Sequence, residues 1–283
     1  MSKPTATAKQ ATAKASTGSL SSSALFAPGI IIAAFIVAEL VFHYVMGNGS
    51  NFEGGDPVKG HPVGGNMLGI IYKGGFIVPL LMTLLICVIV FSIERYLTLA
   101  AAEGKGAVPE FLKRVKAALE GNNVDSAIAE CDKQRGSVAN IVRSGLVKYK
   151  EMAGVSNAEM DRDQKVASIH QEVEEATALE MPILERNMPV LSTIGSIGTL
   201  IALLGTVIGM IKAFSALASS GAPDAVALST GISEALINTA LGIGTSALAI
   251  IMYNFFTTKI DKLSYRIDEA AFSMTQSFIS HNK

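Results

Sequence analysis

VLSTIGSIGTLIALLGTVIGMIKAFSAL, residues 190–217, and AVALSTGISEALINTALGIGTSALAIIMYNFF, residues 225–256, are the two stretches whose reading decides the fold. Each exceeds the roughly 20 apolar residues that a helix rising 1.5 Å per residue needs to cross a hydrocarbon core. Neither is uniformly apolar. Gly195, Gly198, Ala202, Gly205 and Gly209 recur at steps of three and four on the first, and Gly231, Ala235, Asn238, Gly242, Thr245 and Ala249 repeat the device on the second. A helix gathers such residues on one face, where small side chains let two backbones approach closely in lipid. Two readings stay open: packing within one subunit through Gly205, Gly209, Gly231 and Gly242, or a surface that meets other subunits or encircles a partner helix.

Polar residues on the same stretches bear on that choice. Thr199 and Thr206 lie seven residues apart, near one helix face, and the second stretch carries Glu234, Asn238, Thr239, Thr245 and Ser246. A lone Thr in a membrane helix is ordinarily satisfied by the carbonyl one turn back. A group of them is harder to dismiss. A carboxylate at mid-bilayer costs at least about 2.5 kcal/mol even on the lenient insertion scale, so Glu234 must face protein or water. Lys212 either reaches the outer interface or pairs with Glu234.

Working outward, two further apolar runs occupy residues 25–46 and 76–102, which with 190–217 and 225–257 makes four spans. Charged residues are 17% of the chain, against about 25% in soluble domains. On the first span Glu39 and His43, four apart, form a local pair or an interfacial patch. Glu94 and Arg95 close the second, where long side chains that snorkel to the interface are the expected reading. Residues 1–24 carry Lys3, Lys9 and Lys14 and no acid, a composition expected to be disordered and, beside a span, to lie in the cytoplasm. A cleaved signal peptide is the alternative, disfavoured by an apolar core interrupted at Glu39 and longer than such segments have. The Gly-rich stretch 47–75 and the turn 218–224 then fall outside. Residues 103–189 and the tail 258–283, with Lys259, Lys262 and Arg266, fall inside.

Residues 103–189 read as helical throughout. Phe111, Leu112, Val115 and Leu119 make one stripe, and Val166, Ile169, Val173, Ala176, Leu179 and Ile183 another. Gly121, Gly136 and Gly154 mark helix ends, and Pro182 and Pro189 kink or restart the path into the third span. The expected fold is all-α, a polytopic membrane helical bundle with a helical cytoplasmic extension and cytoplasmic termini.

Several functions are excluded by composition and pattern. A net charge of -1 gives no footprint for nucleic acid. Cys87 sits in an apolar run and Cys131 in a charged one, and the four histidines are scattered, so neither a disulfide framework nor a metal site is expected. No glycine-rich turn precedes a phosphate-binding Lys, and no nucleophilic Ser has a His and carboxylate to activate it. Neither a cofactor nor enzymatic activity is expected.

Leu204-Gly205-Thr206-Val207-Ile208-Gly209-Met210-Ile211-Lys212-Ala213-Phe214 resembles the Gly-Thr-Val-x-Gly run of the ExbB, TolQ and MotA proton-channel superfamily. Gly231-Ile232-Ser233-Glu234-Ala235-Leu236-Ile237-Asn238-Thr239-Ala240-Leu241-Gly242, followed by Tyr253-Asn254, is similar to its Gly-Ile-x-Glu-Ala-Leu-x-x-Thr-Ala-x-Gly helix, and Ile93-Glu94-Arg95-Tyr96-Leu97 to the Glu-Arg pair closing the preceding span. The ExbB branch is the nearest. Thr199 and Leu248 depart from the pattern, standing where many relatives have Pro, and four spans are what the MotA-like flagellar stators have.

The resemblance implies a homo-oligomer, typically a pentamer, in the bacterial inner membrane. It would surround the helices of an ExbD- or TolR-like single-span subunit that brings the proton-carrying Asp. Thr206, Thr239 and Glu234 match the family's polar path, with Thr199, Asn238 and Thr245 placed beside it. The function so implied is a stator that couples the proton gradient, through a TonB-like energy transducer, to outer-membrane transport. A TolQ- or MotA-like stator for envelope maintenance or motility is the alternative, as is a non-transporting scaffold. A self-contained secondary transporter is disfavoured, because two repeat halves with broken helices are not visible.

Overall fold

The computed structural model describes residues 26–58, 60–156, 160–219 and 225–281; the disorder expected of residues 1–24 and most of the turn expected at 218–224 lie outside them. Helix α1 (Phe26–Leu40) runs on into a π turn at Val41–Met46. After a structured loop come α2 (Met67–Tyr72) and α3 (Ile77–Glu103). Four helices follow: α4 (Val108–Glu120), α5 (Val124–Gln134), α6 (Gly136–Gly154) and α7 (Arg162–Glu185). The chain closes with α8 (Met188–Ser219) and α9 (Ala225–His281). Helix α1 with its π turn, α3, α8 and α9 contain the four segments long and apolar enough to cross a membrane. Among the described residues the only β-type pairing is an isolated bridge between Phe52 and Pro62.

Local chemistry explains the breaks. Asp161 and Gln164 form a capping box that starts α7, satisfying two backbone donors that a helix start leaves free. Pro182 lies inside α7 without ending it. The break comes at Asn187, in the left-handed region at φ 62°, a conformation Asn tolerates better than most residues. Gly136 does not end a helix as expected but opens α6. It lies at φ 83° beside Arg135 at φ 58°, and a Cβ there would press on the Ala101 and Ala102 carbonyls.

Helices α4 to α7 and the far half of α9 share one core, built on Phe111, Val115, Leu119, Ile141, Leu146, Ile169, Val173, Met274 and Phe278. The stripe expected on α7 is only partly inside. Leu179 and Ile183 are 77% and 51% exposed, whereas Leu184 is buried. The two consecutive steps of three after Val173 carry Leu179 about 120° round the helix, because a residue turns about 100°.

Arg95 departs from its expected role. It is 1% exposed rather than snorkelling. Its guanidinium pairs with Glu94 (Nε to Oε2, 2.7 Å) and donates from Nη1 to the Ile183 and Leu184 carbonyls at 3.2 and 3.1 Å. Asn187 Nδ2 donates to the same Glu94 carboxylate at 3.2 Å. The last carbonyls of a helix lack intrahelical donors, and the forked guanidinium supplies them where α7 breaks from α8.

Residues 47–75 fold into a cap. Asn51 is buried and donates from Nδ2 to the Val45 and Met46 carbonyls, closing the π turn. Asn66 donates to Asn51 Oδ1 and caps α2 through Leu68 N. Tyr72 stacks on Phe42 at 4.6 Å and meets Phe52 edge-on at 5.5 Å. The cap thereby sets Gly74 and Gly75 against one end of the α8–α9 hairpin.

A hydroxyl seam on the α8–α9 hairpin

Helices α8 and α9 run antiparallel and their glycines interdigitate. A Cβ on Gly205 would meet Asn238, one on Gly209 would meet the Gly231 carbonyl and Ala235, and one on Gly242 would meet Ala202 and the Gly198 carbonyl. Gly231 packs in turn on Ala213. The small faces of the two helices are thus used against each other within one chain.

Close approach brings polar side chains into register across the seam. Thr206 Oγ1 and Thr239 Oγ1 lie 2.5 Å apart, and each is also within hydrogen-bond range of a carbonyl one turn back, Ala202 at 3.1 Å and Ala235 at 3.0 Å, so one hydroxyl donates across the seam while the other donates to its carbonyl. Two hydroxyls sharing one proton position can pass it either way by rotating. Seven residues along each helix, Thr199 Oγ1 donates to Ser246 Oγ at 3.0 Å. Thr199 is exposed and Thr206 and Thr239 are partly exposed, whereas Ser246 is buried beneath Thr199. The Thr206 end opens on a shallow groove of about 570 Å³ walled by Val207, Met210, Ile211 and Phe214.

The other three expected residues turn inward. Glu234 is 5% exposed and its Oε1 accepts from Lys212 Nζ at 2.6 Å. Its carboxylate rests against Gly75, at φ 76°, where no side chain could be accommodated. Lys212, half exposed, also lies 5.9 Å from the Phe76 ring centroid. Of the two readings of Lys212, the pair is the one seen. Asn238, fully buried, donates from Nδ2 to the Gly74 carbonyl at 3.0 Å. Thr245 is buried too. The hydroxyl face therefore collects Thr199, Thr206 and Thr239, while Glu234 and Asn238 hold the hairpin against Gly75 and Gly74 of the cap and Thr245 is buried.

Ser246, the partner of Thr199, is the site residue that the sequence reading passed over in favour of Thr245. Its seven-residue step from Thr239 was the available signal, since seven residues return a helix to nearly the same face. Glu39 on α1 and His43 in the π turn form a local pair at 3.3 Å. Among the described residues no group of three His, Cys, Asp or Glu side chains could hold a metal.

The model of the MotA/TolQ/ExbB proton channel family matches residues 136–269, which include both sides of the seam. The Tol-Pal system protein TolQ of Pseudomonas aeruginosa is 26% identical over 202 residues, covering 70% of this chain and 86% of the relative. The putative biopolymer transport protein ExbB homolog of Methanothermobacter thermautotrophicus is 26% identical over 198 residues, or 70% of this chain and 65% of the relative. The biopolymer transport protein ExbB of Pseudomonas putida is 34% identical over 82 residues, or 29% of this chain and 25% of the relative.

Proposed function

Because the chain belongs to the MotA/TolQ/ExbB superfamily of membrane proton channels, we propose that it is the stator subunit of an inner-membrane motor that couples the proton gradient to TonB-dependent outer-membrane transport. Several copies surround the helices of an ExbD- or TolR-like single-span partner. The helical lobe and both termini lie in the cytoplasm and the cap faces outward, an orientation supported by Lys259, Lys262 and Arg266 just beyond the last span. One charge crossing 100 mV releases about 2.3 kcal/mol, so a few protons suffice to break the contacts between stator and partner.

The observation that carries this reading is the Thr206–Thr239 hydroxyl pair, set beside an open apolar groove. The described spans hold no run of acids facing that groove. The carboxylate that shuttles the proton comes from the partner's helix, which the apolar wall suits. Glu234, held by Lys212, serves as a fixed counter-charge that anchors the hairpin. The experiment replaces Thr206 or Thr239 by Val in the complex with its partner. Proton flux into liposomes falls to background while the partner still co-purifies; unchanged flux in both variants would sink the reading.

A second reading, a Tol-Pal-type stator for envelope maintenance, is supported by the length of the TolQ alignment, 86% of that relative. Deletion separates the two. Loss of receptor-mediated uptake favours the first, and detergent sensitivity with intact uptake the second.

A further inference from the structure

The hydroxyl pairs continue toward the lobe. Thr206 faces Thr239, and seven residues further Thr199 faces Ser246. Another seven residues place Ser192 opposite Tyr253 in the same antiparallel register, and both line a cavity of about 440 Å³ at the lobe end of the hairpin. Thr257 lines it as well, and two carboxylates stand at its rim, Glu185 at the end of α7 and Asp261 on α9. Among the described residues, neither carboxylate has an ion pair or hydrogen bond. The neighbouring cation, Lys259, is engaged with Glu103 at 3.3 Å. Some lobe acids are tied to a Lys or Arg, as Glu130, Asp132 and Asp125 are; what sets Glu185 and Asp261 apart is that both line the cavity in which the Ser192–Tyr253 rung ends.

We propose that this cavity is the cytoplasmic exit of the proton path, with Glu185 and Asp261 as the groups that receive protons from the seam and pass them to bulk water. The inference rests on the proton-channel reading given above. Successive rungs are about 10 Å apart at 1.5 Å per residue, so bridging water on the exposed face must link them. Hydroxyls can relay a proton only by accepting one as they release another. A carboxylate can hold one, and so ends the relay at the boundary with solvent. Each transfer is balanced: a hydrated proton arriving from the Ser192–Tyr253 rung protonates one carboxylate oxygen, and the same oxygen then returns it to a cytoplasmic water.

The test measures proton flux with a pH-sensitive dye in liposomes holding the full complex with its single-span partner, driven by a potassium diffusion potential. The neutral double variant Glu185→Gln/Asp261→Asn is expected to lose about a hundredfold in flux, the low end of a general acid–base contribution, with the partner still co-purifying. The exchange variant Glu185→Asp/Asp261→Glu keeps both carboxylates and retains most of the flux. Formate on the lobe side restores conduction to the neutral variant, which a merely structural defect would not allow. Full flux in the neutral variant, alongside a non-conducting Thr206→Val, overturns the exit and leaves the channel reading standing. Loss that neither exchange nor formate restores also overturns it. A wild-type complex that conducts no protons removes both.

Discussion

Gly75 sits at φ 76° with the Glu234 carboxylate where its side chain would be. Gly75→Ala therefore meets two penalties, a left-handed backbone and a collision. It is expected to destabilise the protein by about 1 kcal/mol or more, seen as a lower thermal midpoint in detergent. If the carboxylate matters through hydrogen bonding to Lys212 rather than through charge, Glu234→Gln retains more flux than Glu234→Ala; equal and undiminished flux in both would free Glu234 of any part in conduction. Cys131 offers a pH signature in the lobe. Burial first, and then Asp132, push its thiol from 9.0 up to about 12. The folded state thus holds the proton that the unfolded chain gives up. This contribution to stability is complete below pH 9 and is lost as pH rises toward 12. Urea midpoints taken across the alkaline range should fall less steeply in Cys131→Ala than in the parent; parallel slopes would refute the linkage.

Two element-level devices fix the hairpin. Gly242 lets α9 lie on Ala202 and the Gly198 carbonyl. Gly242→Val should force the helices apart and sharply lower the yield of folded protein, whereas Gly244→Ala, with nothing near its missing Cβ, should not. Arg95 joins α3 to the last carbonyls of α7. Removing one partner of a buried pair costs about 3–5 kcal/mol, so Arg95→Ala should expose the α7–α8 junction to trypsin at Arg186. The spans and the lobe helices could be read from apolar length and periodicity alone, as could the seven-residue relation of Thr199 to Thr206. The role of Arg95 could not, because it depends on carbonyls 88 and 89 residues away in sequence. Nor could the cap: its order comes from Asn51 and Asn66 bonding to backbone at a distance, while its glycines alone suggest a plain loop. The inward turn of Glu234 was likewise hidden, since composition says only that the carboxylate avoids lipid.

At the scale of the whole molecule, α9 projects Tyr265, Phe272 and Ile279 from one stripe of its lobe half, and all three are exposed. Their seven-residue spacing suits packing against a second helix. In the proposed oligomer they meet a neighbouring subunit, and Phe272→Glu should shift the mass of the intact complex to smaller species. The same helix has a further consequence. It is 57 residues long, about 85 Å at 1.5 Å per residue, and from Thr245 to His281 it contains neither Gly nor Pro. That stretch offers no hinge. Its Thr245 level and its lobe end must turn together, so in the proposed motor each subunit behaves as housing from there on, and the moving parts are whole subunits and the guest they would enclose. Spin labels near Thr245 and near His281 should hold one separation whether or not a proton gradient is applied.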